Sequence, residues 1–141
     1  MTIKKGMIMF SSSLSTVERK LFLNLAFYLS FLDGTFSFDE KEMIRNFIKR
    51  TKYEIPVDVT QLNKEELFDK FAKLKRPSAK KILIDLLYIA NSDGEFSENE
   101  KKFIYELAET HHIDETEINN LVEILQEINR LYFKVGNYVY L

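Results

Sequence analysis

Nine residues, Asp33-Gly34-Thr35-Phe36-Ser37-Phe38-Asp39-Glu40-Lys41, recur sixty positions later as Asp93-Gly94-Glu95-Phe96-Ser97-Glu98-Asn99-Glu100-Lys101. The shared pattern is DGxFSxxEK. Each copy follows a dense apolar run and precedes an amphipathic one, so the repeated unit is a helix, a short acidic loop and a second helix. The positions beyond the loop repeat as well. Met43, Ile44, Phe47 and Ile48 correspond to Phe103, Ile104, Leu107 and Ala108 at the same offset.

The helix boundaries follow from capping chemistry. Ser15-x-x-Glu18, Ser37-x-x-Glu40 and Ser97-x-x-Glu100 match the capping box, in which the Ser oxygen accepts from a free first-turn amide while the Glu reaches back. Asn63-x-x-Glu66 and Asp114-x-x-Glu117 read the same way, and Pro77 suits the first turn of a helix. Two of the resulting helices are apolar on nearly every side: one through Leu21 to Leu32, the other through Ile82 to Ala90. A helix surrounded by others has that pattern, so both are expected at the centre. The helices after each acidic loop are amphipathic and belong at the periphery. The last helix carries Ile118, Leu121, Val122, Leu125, Ile128 and Leu131 on one face.

The expected fold is therefore all-α, an orthogonal bundle of about six to seven helices built from two helix-loop-helix repeats. We divide the chain into an N-terminal arm (1–14), a helical domain (15–131, with repeats at about 15–52 and 77–112) and a C-terminal tail (132–141). The arm lacks a helical period, and its Met7–Phe10 run could form a short strand. The tail, aromatic and β-branched around Gly136-Asn137, matches a two-residue hairpin signal and predicts a small β-hairpin. An isolated hairpin is marginal in water, so it would lean on the helices or on another chain, and self-association through the tail is expected.

With 141 residues, 45% of them hydrophobic, the chain can fill one core. Its 20 basic and 22 acidic side chains give a net charge of -2, which argues against nucleic acid as a partner. The chain has no Cys, which removes disulfides, thiolate metal sites and thiol nucleophiles and agrees with a cytoplasmic setting. The apolar stretch after Lys4 and Lys5 is too short for a signal peptide, and Leu21–Leu32 is too short to span a bilayer; no membrane insertion is expected.

The acidic loops are the candidate site. Asp33 and Asp93 each follow the end of a helix, where the carbonyl dipoles disfavour another anion by about 0.3 to 1 kcal/mol. Loop amides can offset this as in Asx turns, or a cation can. A single loop lacks the first EF-hand ligands. If the two loops pack together, Asp33, Asp39, Glu40, Asp93, Glu95, Glu98 and Glu100 would crowd and repel, and one oxygen-ligated divalent cation, Ca²⁺, Mg²⁺ or Mn²⁺, held by Asp33, Asp39, Glu40, Asp93, Glu98 and Glu100, would relieve this. Capping and coordination are compatible, because Glu100 has two oxygens. His111 and His112 are adjacent and cannot chelate together, so a structural or solvent role is expected. No nucleophile or Gly-rich phosphate motif is present, and the chain reads as non-enzymatic; the competing reading is a metal-dependent hydrolase using the clustered carboxylates. Phe36, Phe38 and Phe96, in polar loops, and Tyr138 and Tyr140 in the tail are candidates for contact with a protein partner.

These features resemble the tellurite-resistance TerB-like family, to which the N-terminal domain of a membrane-anchored DnaJ-like co-chaperone is also similar. The matching residues are Asp33, Gly34, Ser37 and Glu40 and, in the second copy, Asp93, Gly94, Ser97 and Glu100, with the likeness covering about residues 15–131. The resemblance implies an all-α fold of about seven helices, a metal site in the acidic loops, and a part in stress response or in scaffolding protein complexes. The sequence departs from the family pattern at Phe31-Leu32, where small residues are common, and at Asn99, where the first repeat has Asp39.

Overall fold

The computed structural model describes residues 10, 13–32, 62–91 and 96–140. Among them are five α-helices and no strand: α1 (Thr16–Ser30), α2 (Lys64–Ala72), α3 (Arg76–Ala90), α4 (Glu98–Glu109) and α5 (Glu115–Tyr140). The helix expected to follow Ser37, together with Asp33, Asp39, Glu40 and Asp93, lies outside the described residues.

Local chemistry sets the helix starts. Ser15 and Glu18 exchange hydrogen bonds, Glu18 N–H to Ser15 Oγ at 3.2 Å and Ser15 N–H to Glu18 Oε1 at 2.7 Å. Ser97 and Glu100 repeat the box at 3.1 and 3.3 Å. Asn63 Oδ1 accepts from Glu66 N–H, and Asp114 Oδ1 from Glu117 N–H. Helix α3 begins without a side-chain cap, with Pro77 in its first turn; the ring presets φ and removes an amide that would have had no partner.

The two all-round apolar helices are the interior pair. Helix α1 packs on α2, α3 and α4, while α3 packs on α1, α4 and α5. They bury Phe22, Leu23, Leu25 and Ala26 on one side and Ile82, Leu83, Leu86 and Leu87 on the other, all fully. The match between them is close: both contain 15 residues, and their first and last positions differ by sixty. Around them Phe71 of α2, Phe103, Ile104 and Leu107 of α4, and Ile118 and Leu125 of α5 close the core. Burial of each such side chain is worth about 1.5 to 3 kcal/mol.

Between α4 and α5 the chain turns through His112, which has φ of 57°. His111 Nε2 stands 2.7 Å from the Phe71 carbonyl oxygen. A carbonyl can only accept, so Nε2 carries a proton there. The ring also meets Phe71 edge-on at 5.0 Å. His111 thus joins the end of α4 to α2, while His112 is exposed and makes the turn.

The tail is not a hairpin. Residues 132–140 continue α5, which runs 26 residues, about 39 Å at 1.5 Å per residue. Adding residues to an existing helix needs one hydrogen bond each, whereas a hairpin would have to nucleate alone. The roughly 1 kcal/mol that Gly136 costs in a helix is too small to reverse that.

Candidate functional site

Three places on this scaffold carry chemistry beyond packing: the end of the second acidic loop, a buried polar cluster on α3, and α5 with the groove beside it.

At the loop, α3 ends with Asn91 as its C-cap and α4 begins with Ser97 as its N-cap. Of the six carboxylates expected to bind a cation, Glu98 and Glu100 are described, and they point differently. Glu100 is 8% exposed and gives Oε1 to the Ser97 amide. Glu98 is turned to solvent, with its carboxylate 3.4 Å from Lys101 Nζ. No group of three or more His, Asp or Glu side chains able to hold a metal occurs among the described residues. The cleft between α4 and α5, about 480 Å³, is lined by Asn91, Phe96, Lys101, Tyr105, Asn119 and Glu123 among others. It is mostly polar, and Tyr105 donates to Asn119 Oδ1 at 2.7 Å across it. Phe96 lies under Lys101 Nζ at 5.8 Å and is half-buried against the core, with its other side on the cleft.

The second place is a buried polar cluster on α3. Asp85 is fully buried in the middle of the helix, and its Oδ2 accepts from the Phe10 amide at 3.1 Å. One turn on, Tyr88 is 2% exposed, and its hydroxyl has no hydrogen-bond partner among the described residues. Burial, with the Tyr132 phenol and the Asp85 carboxylate nearby, pushes its pKa up to about 12. Asp85 thus ties the N-terminal arm to the core. The only sequence signal was a lone carboxylate inside an otherwise apolar helix.

The third feature is the largest. Along α5, Ile118, Leu121, Leu125, Ile128, Tyr132, Val135 and Val139 alternate spacings of three and four, one unbroken heptad seam. Ile118 and Leu125 are buried on the body. Further along, the same seam is bare: Tyr132 is 46% exposed, Val135 62% and Val139 65%. A flanking row at intervals of seven, Ile124, Leu131 and Tyr138, is exposed as well. From Arg130 to Tyr140 every residue but Gly136 is exposed. Beside the inner half of α5 lies an apolar groove of about 250 Å³ against α3, lined by Leu83, Ile84, Ile113, Leu121 and Ile124, with Lys80 and Glu117 at its edge. In the sequence the Gly136-Asn137 turn signal competes with this face, and the three-and-four spacing is the signal that marks it.

None of the described helices is long and apolar enough to cross a membrane. No protein-family model, no curated protein and no solved structure matches this chain.

Proposed function

We propose that the chain is a non-enzymatic, TerB-like protein-interaction module that docks through the outer half of α5. One observation carries this: a contiguous helical face containing Leu131, Tyr132, Val135, Tyr138 and Val139 stands bare at the end of a helix whose inner half uses the same seam for its own core. Exposed apolar faces of this size on a small domain mark sites where another molecule sits. Aromatic anchors such as Tyr132 and Tyr138 are the residue type that dominates binding energy at protein contacts.

The TerB-like kinship and a part in stress response, tellurite response included, belong to the same proposal. They are supported by the duplicated DGxFSxxEK and by the sixty-residue offset of α1 and α3. The absence of Cys favours the cytoplasm.

The test uses an environment-sensitive apolar dye on dilute, folded protein. The wild type is expected to bind the dye, and Leu131→Glu with Tyr138→Glu to lose it while keeping its helical circular dichroism. Dye binding that is absent, or indifferent to those changes, would remove the reading.

A second reading, favoured by the repeated acidic pattern itself, is a divalent cation held by Asp33, Asp93 and their neighbours. Calorimetric titration with Ca²⁺, Mg²⁺ and Mn²⁺ should then give heat with the wild type and much less with Asp93→Asn. No heat at millimolar ion would leave these residues as helix caps and turn formers.

A further inference from the structure

We infer that the partner of α5 is a second copy of this chain, bound antiparallel so that the outer half of each α5 lies against the groove between α3 and α5 of the other. This rests on the interaction-module reading above and names its occupant.

Two observations point to self-recognition. First, α5 changes sign at its midpoint. Residues 115–127 carry Glu115, Glu117, Glu123 and Glu127 and no basic residue; residues 128–140 carry Arg130 and Lys134 and no acidic one. Glu127 and Arg130 pair within the chain across that midpoint. Two such helices side by side and antiparallel set each basic half beside an acidic half, and each helix dipole against its opposite. A parallel pair would bring like halves together.

Second, one row supplies both the lock and the key. Ile124 lines the groove, while Leu131 and Tyr138 continue the row onto the bare end. An isologous two-fold contact needs a single surface that is its own complement. With the axis between residues 127 and 128, Leu131 of one copy falls beside Ile124 of the other, and Tyr138 beside Glu117. The phenol can then donate to the Glu117 carboxylate. The groove holds side chains rather than a whole helix, and Leu131 and Tyr138, two turns apart, are the knobs that fill it. Arg130 lies off this row; Lys134 flanks it between Leu131 and Tyr138, where its long stem can pack on the apolar contact while the ammonium stays in water.

The experiment is sedimentation of the full chain from about 1 to 100 µM. The wild type is expected at twice the 16.7 kDa chain mass. Leu131→Glu with Tyr138→Glu, and separately Ile124→Glu, are each expected to weaken association at least tenfold with unchanged helicity. An equimolar mixture of the two variants should associate more tightly than either variant alone, because one of its two groove contacts pairs an intact groove with an intact end while the other is altered on both sides. Since the chain lacks Cys, spin labels on Asn137→Cys and on Gln126→Cys read the polarity. Antiparallel pairing separates the 137 labels by about 30 Å along the axis and the 126 labels by about 5 Å, at 1.5 Å per residue.

A monomer throughout, a dimer indifferent to Ile124→Glu, or 137 labels as close as the 126 labels would each overturn the inference. Dye binding separates the two levels. A monomeric wild type that still binds dye at Leu131 and Tyr138 keeps the docking face and loses only the second copy; a monomer that binds none loses both.

Discussion

Helices α1 and α3 lie sixty residues apart in the sequence, have equal length, and pack against each other, yet they solve the same problem with different chemistry. Where α1 buries Leu25, α3 buries Asp85, both fully. Where α1 starts with a reciprocal Ser15–Glu18 box, α3 starts with Pro77 and no side-chain cap. Tyr28 stacks on Phe103 at 5.4 Å, half-buried, while its counterpart Tyr88 is sealed inside. A matched position in the sequence leaves each side chain to be settled by what packs against it.

The largest effect should come from exchanging the chemistry at the paired core positions. Leu25→Asp puts a carboxylate in an apolar site, a change that costs more than the few kcal/mol of an ordinary core substitution. The variant is expected to lose its helical circular dichroism; a folded variant would show that α1 also has an amide ready to receive the group. Next, Asp85→Ala leaves the Phe10 amide without this acceptor and opens a small void. Together these should cost about 1 to 3 kcal/mol in urea melts.

Tyr88 comes third. A folded-state pKa raised from 10.0 to about 12 means the fold favours the neutral phenol. Its contribution is whole below pH 10 and lost as pH rises toward and through 12. Tyr88→Phe should therefore resist alkaline unfolding in that window. It should be neutral or slightly stabilising at pH 7, because it removes a buried hydroxyl that has no partner among the described residues.

At the helix starts, Ser15→Ala should cost about 0.5 to 2 kcal/mol, whereas Lys75→Ala, at the uncapped start of α3, should stay within about 0.5 kcal/mol. Equal losses would erase the distinction between the two starts. The smallest effect concerns Glu18. Hydrogen bonds from Ser78 on α3 and from Ser15 hold its pKa below the usual 4.5. A lowered carboxyl pKa contributes stability above the unfolded value that fades as pH falls through the folded one. Glu18→Gln should accordingly flatten the acid limb of a pH–stability curve below about pH 4.5, with little change at neutrality.

Much of the fold was legible in the chain because its signals are local. A Ser three residues before a Glu acts within one turn, and so the starts of α1 and α4 could be read directly, as could the Asn63 and Asp114 caps. The central place of α1 and α3 was visible because apolar residues on all sides leave no face for water. The candidate surface was harder to see. In residues 132–140 the Gly-Asn pair spoke for a turn and the three-and-four spacing for a helix. What decided between them was the length of helix already formed upstream. Asp85 gave no warning of its partner, since Phe10 lies 75 residues away in the chain.

The sequence alone determined that this protein is helical, where most of the described helices begin, that two of them are interior and that its acidic loops come as a matched pair. These are matters of periodicity and capping, which neighbouring residues settle among themselves. Tertiary structure decided which half of the α5 seam is covered, which amide meets Asp85 and which tyrosine of the equivalent pair is sealed away. Burial is a relation between distant segments, and the same apolar stripe or carboxylate takes its meaning from whatever the fold lays against it.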